Sequence, residues 1–377
     1  MTVTAPPGAV LPPPSAARPR PALRHPKVAG AVAGVIGVLI TAFGAGIAVR
    51  FLTKTGLTWT SALGIFTLAL GLTLIGYAWV VFWRATRRWQ RLWFIPGVVA
   101  VLLVVWPVTE GTMLSYAPRT ALGPVTPAAH GLAYTNVSFP SSDGVRLSAW
   151  YVASRNRAAV LAVPGAGSTR TGVLEQAAVL ARHGYGVLMI DPRGQGRSGG
   201  RAMDAGWYGD RDVSGAVAFL QLQPDVDPNR IAILGLSMGG EEAIGAAAAN
   251  PAIRAVVAEG ATHRTAADKA GWLPGGVAGA IQRGIDQLTY GTAALLSGAP
   301  RPGTLHAAIA SAHQTPFLLI AGSKAVDEPE AVTYLRTAAP QRVQTWTVPG
   351  ASHTQGLATA RTAWTARVTG FLDQALR

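Results

Sequence analysis

The sequence predicts an α/β domain with a mostly parallel eight-stranded sheet and a helical cap insertion, preceded by an α-helical transmembrane region. The composition gives the first indication, since 49% of the 377 residues are hydrophobic and only 13% are charged, against about 25% charged in an average soluble domain. A second is that short β-rich runs alternate with Ala-rich stretches from about residue 130 onward. This alternation is typical of βα units.

The N-terminal region predicts a membrane anchor. Residues 1–27 are rich in proline and predict a disordered cytoplasmic tail. The apolar stretches Val28–Leu52, Leu57–Trp83 and Phe94–Leu114 follow, within a membrane region of residues 28–114. A helical span needs about 20 residues. A cleaved signal peptide is the alternative for the first stretch, but its apolar run is longer than a typical signal core and a second span follows directly.

The charge distribution predicts the orientation of these spans. No acidic residue precedes Glu110, whereas ten of the 32 basic residues do. Four of the ten lie in the tail and four in the loop of residues 84–91, whereas the loop between the first two spans carries only Arg50 and Lys54. The positive-inside rule then places the N-terminus inside and the region after residue 115 outside. The basic excess is explained by membrane topology, so we expect no nucleic-acid partner.

A short linker, residues 115–130, leads to the α/β domain of residues 131–377. The eight predicted strands are Tyr134–Phe139, Arg146–Val152, Ala159–Val163, Gly186–Ile190, Arg230–Leu234, Ala255–Ala258, Phe317–Ile320 and Val343–Val348. The third and seventh are continuous apolar runs, as expected of central parallel strands. Residues 262–312 interrupt the alternation with Gly- and Ala-rich amphipathic fragments, and we interpret them as an inserted helical cap.

The strongest chemical signal is Gly235-Leu236-Ser237-Met238-Gly239, which follows a predicted strand and opens a predicted helix. A Gly-x-Ser-x-Gly nucleophile elbow requires this context, because the tight turn holds the serine hydroxyl above the sheet. A serine hydroxyl needs a base to take its proton. His353 lies just after the last predicted strand, where the chain order Ser, acid, His places the base.

From about Tyr134 to its end the chain resembles the α/β-hydrolase superfamily, especially its branch of serine aminopeptidase-like and dienelactone hydrolase-like proteins. Three motifs carry the resemblance: the elbow, the Gly-x-x-His ending at His353, and the Asp-x-Arg-Gly-x-Gly-x-Ser segment of residues 191–198. The resemblance implies an oxyanion hole formed by the backbone N–H groups of Met238 and Ala166.

The triad acid is less clearly indicated. Relatives usually carry Asp three residues after the Gly that ends the seventh strand, and counting from Gly322 gives Ala325 here. Asp327 is the preferred candidate and Glu328 the next. Glu259, at the end of the sixth strand, is a third, since some lipases of this fold place the acid there. Asp327 could instead cap the helix that follows it.

Other chemistries are not indicated. Residues 194–199 satisfy Gly-x-Gly-x-x-Gly, but the segment that follows reads as a loop, whereas a dinucleotide site needs a helix there. There is no cysteine, and the His and carboxylate spacings do not predict a metal site. We therefore expect a membrane serine hydrolase without cofactors that acts on carboxylic esters, including lipid-derived ones. A peptidase or amidase, and a catalytically silent binding module with the same fold, are the alternatives.

Overall fold

The computed structural model describes residues 26–377, so most of the predicted tail (residues 1–25) lies outside the described residues. Three long apolar helices open the described chain: α1 (Pro26–Thr55), α2 (Trp59–Ala85) and α3 (Phe94–Ser115). A short 3-10 helix, Arg88–Trp93, leads into α3. Helices α1 and α2, and α3 together with this 3-10 helix, each have the length and composition needed to cross a membrane. Helix α1 begins two residues before the predicted Val28, since Pro26 is tolerated in a first turn.

Small residues allow the apolar helices to pack closely. A Cβ built on Gly44 of α1 would lie 2.3 Å from the backbone nitrogen of Leu68 in α2. A Cβ on Gly71 of α2 would lie 2.5 Å from the nitrogen of Thr41 in α1. Helix α3 joins this pair through the Thr109 hydroxyl, which donates to the Ala42 carbonyl. Close backbone approach at glycine is how helices associate where water is excluded.

The C-terminal region contains the predicted eight-stranded sheet. Its strands are β1 (Thr135–Pro140), β2 (Arg146–Val152), β3 (Ala159–Val163), β4 (Gly186–Asp191), β5 (Ile231–Leu236), β6 (Ile253–Glu259), β7 (Phe317–Gly322) and β8 (Val343–Val348). Their spatial order is β1-β2-β4-β3-β5-β6-β7-β8. Strand β2 runs antiparallel to both its neighbours, and β3 to β8 are parallel. The predicted fold class is confirmed.

Helices cover both faces of the sheet. The remaining helices are α4 (Leu174–His183), α5 (Gly209–Gln221), α6 (Met238–Ala247), α7 (Ala266–Ala270), α8 (Gly276–Ser297), α9 (Leu305–Ser311), α10 (Glu328–Arg336), α11 (Gly356–Thr359) and α12 (Arg361–Ala375). Helices α5, α6, α9 and α10 share one apolar core with the sheet. Helices α4 and α12 share the core on the opposite face. Every residue of β3 is buried, which explains its continuous apolar sequence.

The insertion between β6 and β7 contains α7, α8 and α9, but only part of it can act as a cap. Helix α9 contributes Leu305 and Ile309 to the main core, so it belongs to the layer that covers the sheet. Helix α8 instead packs against α3. A Cβ on Gly111 of α3 would lie 2.4 Å from the Thr289 carbonyl oxygen of α8. The Ser115 hydroxyl donates to the Ala293 carbonyl.

Candidate active site

Ser237 occupies the sharp turn between β5 and α6. Its φ of 53° lies in the left-handed region, and its ψ is −125°. A non-glycine residue in such a conformation is strained and persists only where its surroundings hold it. The Ser237 N–H donates to the Glu259 carbonyl at 2.7 Å, which ties the turn to the end of β6. The side chain is partly exposed, so its hydroxyl is accessible above the sheet.

The two glycines of the motif are explained by the space around the turn. A Cβ built on Gly235 would lie 2.2 Å from the Gly239 carbonyl oxygen. A Cβ on Gly239 would lie 2.4 Å from the Val163 carbonyl oxygen at the end of β3. Both distances are far below van der Waals contact, so the tight turn from strand to helix requires glycine at these two positions.

His353 lies in the loop after β8 and is bonded to a carboxylate. Its Nδ1 is 2.5 Å from Oε1 of Glu328, the first residue of α10. The Glu328 side chain is buried, and its Oε2 accepts a hydrogen bond from the Gly322 N–H at 2.7 Å. Donation of a hydrogen bond to Glu328 raises the pKa of His353, and partial burial of the ring opposes this. The acid is therefore fixed on two sides, whereas the imidazole is half-exposed.

The sequence-based preference for Asp327 does not match this geometry. Asp327 precedes α10 with a φ of 68°, and no hydrogen bond among residues 26–377 joins it to His353. Its carboxylate makes no capping bond either. Asp327 and Glu328 are consecutive and differ in backbone conformation, and one of the two side chains turns toward the histidine. The longer Glu328, at the start of the helix, is the one that does.

Glu259, the third candidate, has a different role in the structure. It is buried at the end of β6, where Oε1 accepts the Gly356 N–H at 2.7 Å and Oε2 accepts the indole N–H of Trp364 at 2.8 Å. Burial raises its pKa. Glu259 thus holds α11 and α12 against the sheet, while its carbonyl holds the nucleophile turn.

Ser237 and His353 lie on either side of Gly260. A Cβ on Gly260 would lie 3.0 Å from Cε1 of His353, and its neighbour Glu259 accepts the Ser237 N–H. Within residues 26–377, no hydrogen bond joins the Ser237 hydroxyl to the imidazole. Such bonds are often long before a substrate is bound. The structure therefore brings the predicted nucleophile and base to one end of the sheet, with Glu328 behind the base.

The predicted oxyanion donors lie beside the nucleophile. Met238 is the first residue of α6. Ala166 is an exposed turn residue in the loop after β3, and a Cβ on its neighbour Gly165 would lie 3.1 Å from Cβ of Ser237. Neither the Met238 nor the Ala166 N–H donates to an acceptor among the described residues. Both backbone groups are thus available at the turn that holds the hydroxyl.

The segment of residues 191–198 begins with the last residue of β4 and continues as a loop. Asp191 ends β4 and accepts hydrogen bonds from the Arg170 guanidinium at 2.6 Å and from the Arg197 N–H at 2.8 Å. Asp191 and Arg170 are both fully buried, so this pair is shielded from water. The next helix, α5, begins only at Gly209. The glycines of this loop therefore serve a turn and not the start of a helix.

A contact between the apolar helices and the α/β domain was missed by sequence reasoning. Arg50, near the end of α1, forms an ion pair with Asp204 in the loop between β4 and α5. The Asp204 N–H donates to the Leu114 carbonyl of α3 at 2.9 Å. A Cβ built on Gly167, beside Ala166, would lie 3.5 Å from Nη2 of Arg50. Since the sequence suggested only a topological role for Arg50, no local signal pointed to this pairing.

Buried polar groups connect the cap to the nucleophile helix. Oε1 of Glu241, one turn beyond Ser237, accepts the N–H groups of Thr262 and His263, each at 3.2 Å. Burial raises the pKa of Glu241 to about 7 and lowers that of His263 to about 4. The His263 ring packs edge-on against Tyr290 of α8. Among residues 26–377, no cluster of three or more histidine or carboxylate side chains could hold a metal ion.

Comparisons with known proteins agree with this architecture. The family model described as serine aminopeptidase, S33, matches residues 154–295. An uncharacterised protein of Mycobacterium tuberculosis is 35% identical over 155 residues, which are 40% of this chain and 53% of that protein. A thiohydrolase of Aspergillus aculeatus is 33% identical over 129 residues, 33% of this chain and 40% of the relative. The chain thus spans about half the length of the curated relatives it matches.

Solved structures resemble the C-terminal region in fold. An esterase of Pyrococcus furiosus superposes with a TM-score of 0.57 and 24% identity over 70% of this chain and 99% of the esterase. An α/β hydrolase of Penicillium gives a TM-score of 0.51 at 20% identity, over 65% of this chain and 99% of that protein. Together with the strand order, these matches show that the C-terminal region has the α/β-hydrolase fold.

Proposed function

We propose that the protein is a membrane-anchored serine hydrolase that cleaves carboxylic esters through an acyl-enzyme on Ser237. The observation that carries this proposal is the strained Ser237 at the end of β5, beside a histidine that is bonded to a buried carboxylate. Strain at a partly exposed serine is retained where function needs it. We assign the acid role to Glu328, because it is the carboxylate that contacts His353.

The arrangement supports a two-stage acyl transfer. His353 takes the proton of the Ser237 hydroxyl on Nε2 while its Nδ1–H donates to Glu328, which stabilises the imidazolium. The serine oxygen attacks the ester carbonyl, and the developing oxyanion accepts hydrogen bonds from the Met238 and Ala166 N–H groups. The alcohol leaves with the proton from His353. Water, deprotonated by the same imidazole, then attacks the acyl carbon and releases the acid and the free serine.

The membrane position rests on three apolar helices and their contacts with the catalytic domain. The contacts of Arg50 and Leu114 with Asp204 lie near the C-terminal ends of α1 and α3. These ends therefore lie on one side, where the catalytic domain is attached. The positive-inside rule makes that side extracytoplasmic in a multi-pass cell-membrane protein.

An ester substrate is favoured over a peptide by the position of the site beside the anchor, where lipid-derived esters are concentrated. The names of two relatives point the same way, since one is a thiohydrolase and another an esterase. The serine aminopeptidase description of the matching family model supports peptide or amide cleavage as the second candidate. Both reactions use the same nucleophile and base.

Labelling with a fluorophosphonate probe tests the proposal, because only an activated serine reacts readily with it. The membrane fraction carrying the full chain is compared with Ser237→Ala and His353→Ala variants. Ser311→Ala and His313→Ala are matched controls, since both residues are exposed and lie near the end of α9.

We expect labelling of the wild type and both controls, and its loss in both site variants. Folded wild-type protein that takes up no label would contradict the proposal and favour the silent binding module. If labelling is found, turnover of ester and peptide panels then separates the two substrate classes.

A further inference from the structure

Helix α8 presents an apolar face to its surroundings. Val277 and Leu295 are 77% and 81% exposed, and Ile281 and Leu288 are also exposed. Their positions are separated by four or seven residues, so they lie on one side of the helix. That side continues through small or uncharged residues and carries no ionisable group. A water-facing helix surface normally carries charged residues, so this face is unusual.

The opposite face of α8 is used for packing within the protein. Asp286, Thr289, Ala293 and Ser297 are buried there. Asp286 lies 3.3 Å from the ammonium group of Lys269, so its carboxylate is directed inward, and the Arg283 guanidinium donates to the Pro274 carbonyl, away from the apolar face. The helix is therefore amphipathic in the reverse sense, with its polar side toward protein and its apolar side outward. Contiguous exposed apolar surface of this kind marks an interaction site.

The neighbours of α8 indicate what covers this face. Helix α8 packs directly on α3 at Gly111 and Ser115, near the C-terminal end of an apolar helix that is long enough to span a bilayer. The surface of α3 is itself apolar, with Leu102 and Trp106 exposed. The exposed face of α8 thus lies next to a surface that a bilayer would cover, at the end of the anchor attached to the catalytic domain.

We propose that the apolar face of α8, formed by Val277, Ile281, Leu288 and Leu295, lies in the lipid leaflet on the catalytic-domain side of the membrane. This inference rests on the proposed membrane anchoring. Helices with one apolar face bind in the plane of the interface in this manner. Helix α8 is then a second membrane contact, made by the catalytic domain itself.

This placement has a consequence for the substrate. Tyr290 of α8 stacks on Trp207 and contacts His263, whose N–H donates to Glu241 one turn beyond Ser237. On the other side, Arg50 of the anchor lies beside the oxyanion loop at Gly167. The site is therefore connected to two elements that this placement puts at the membrane, and we expect an ester in the leaflet to approach the nucleophile from this side.

Lipid-depth quenching tests the contact directly. The sequence has no cysteine, so single-cysteine variants of the full chain can be labelled with an environment-sensitive fluorophore. The positions are Val277, Leu295 and, as a control, Leu222, which is 82% exposed just after α5. The proteins are reconstituted in dioleoylphosphatidylcholine vesicles with and without a phosphatidylcholine that carries a nitroxide on its acyl chain.

We expect nitroxide lipid to quench the Val277 and Leu295 labels several-fold more strongly than the Leu222 label. Equal quenching at all three positions would overturn the inference. A second copy of the chain covering α8 would do so as well. It would appear as labels shielded from nitroxide lipid and as oxidative cross-linking of two chains through a cysteine at position 295.

A functional measurement separates this inference from the proposed activity. The double variant Leu288→Glu with Leu295→Glu should lower turnover of a long-chain ester embedded in vesicles several-fold, and leave turnover of a soluble short-chain ester unchanged. Leu222→Glu is the matched control and should change neither. If the wild type cleaves neither ester, the proposed function fails, whereas the quenching result still decides the position of α8. Equal loss on both esters would contradict a role of α8 in lipid access.

Discussion

Replacing Glu328 by glutamine removes the charge that faces His353 and keeps the shape of the side chain. In the wild type, Oε1 is 2.5 Å from Nδ1 of His353 and Oε2 accepts the Gly322 N–H. The imidazolium formed during catalysis would then lose a buried anionic partner. The amide could also turn its NH₂ group toward Nδ1, which favours the wrong tautomer. Comparable changes in serine triads lower kcat by about 10⁴-fold.

The expected magnitude is a loss of about 10³- to 10⁴-fold in kcat/KM for a soluble ester, equivalent to about 4–5 kcal/mol of transition-state stabilisation. Asp327→Asn is the matched control, because it removes the neighbouring carboxylate, which makes no bond to the histidine. It should change kcat/KM less than twofold. The assay is steady-state ester hydrolysis by purified full-length protein, with thermal unfolding measured in parallel to verify folding.

The pH profile gives an independent reading of the same contact. The proposed base, His353, can take a proton only when it is neutral, so activity should fall as the pH drops through its pKa. Glu328 raises that pKa above the usual 6.5, so the acid limb of the wild-type profile should have its midpoint above this value. In Glu328→Gln the residual activity should show a lower midpoint. An equal loss in Asp327→Asn, or an unchanged midpoint in Glu328→Gln, would refute the assignment of the acid.

Two further perturbations test the supporting structure. Gly239→Ala should lower the free energy of unfolding by about 1–3 kcal/mol, and with it the melting temperature. The reason is that the added Cβ would lie 2.4 Å from the Val163 carbonyl oxygen. An unchanged melting temperature would contradict the packing argument for the elbow. A double-mutant cycle of Arg50→Ala and Asp204→Ala is measured by ester turnover in detergent micelles. It should give a coupling energy of about 0.5–3 kcal/mol. Additive effects would indicate that α1 and the loop that carries Asp204 are not coupled.

Local sequence patterns predicted much of the fold and part of the site. The elbow was predictable because its requirements are short-range: small residues within two positions of Ser237, a strand before it and a helix after it. The continuous apolar sequences of β3 and β7 likewise indicated that these strands are buried on both faces. His353 followed from its position after the last strand, since chain order in this fold places the base there.

The remaining features depend on contacts between distant parts of the chain. The backbone conformation at the start of α10 decides which of Asp327 and Glu328 contacts His353. Two adjacent acidic residues in a sequence do not reveal that conformation. The role of Glu259 depends on Trp364, more than 100 residues away. Helix α9 was predicted to be part of the cap, because a short apolar pattern does not indicate which surface the helix packs against. The pairing of Arg50 with Asp204 is equally non-local.

The Arg50–Asp204 pair bears on how this protein can be prepared. A soluble fragment that begins after Ser115 would remove the partner of a nearly buried carboxylate, the carbonyl that receives the Asp204 N–H, and the helix on which α8 rests. Such a fragment would retain Ser237, His353 and Glu328, but the loop of Ala166 and Gly167 would have lost the neighbouring Arg50 side chain. Low turnover by a truncated protein would then reflect these lost contacts as well as the choice of substrate. Substrate screens should therefore use the chain with α1, α2 and α3 intact.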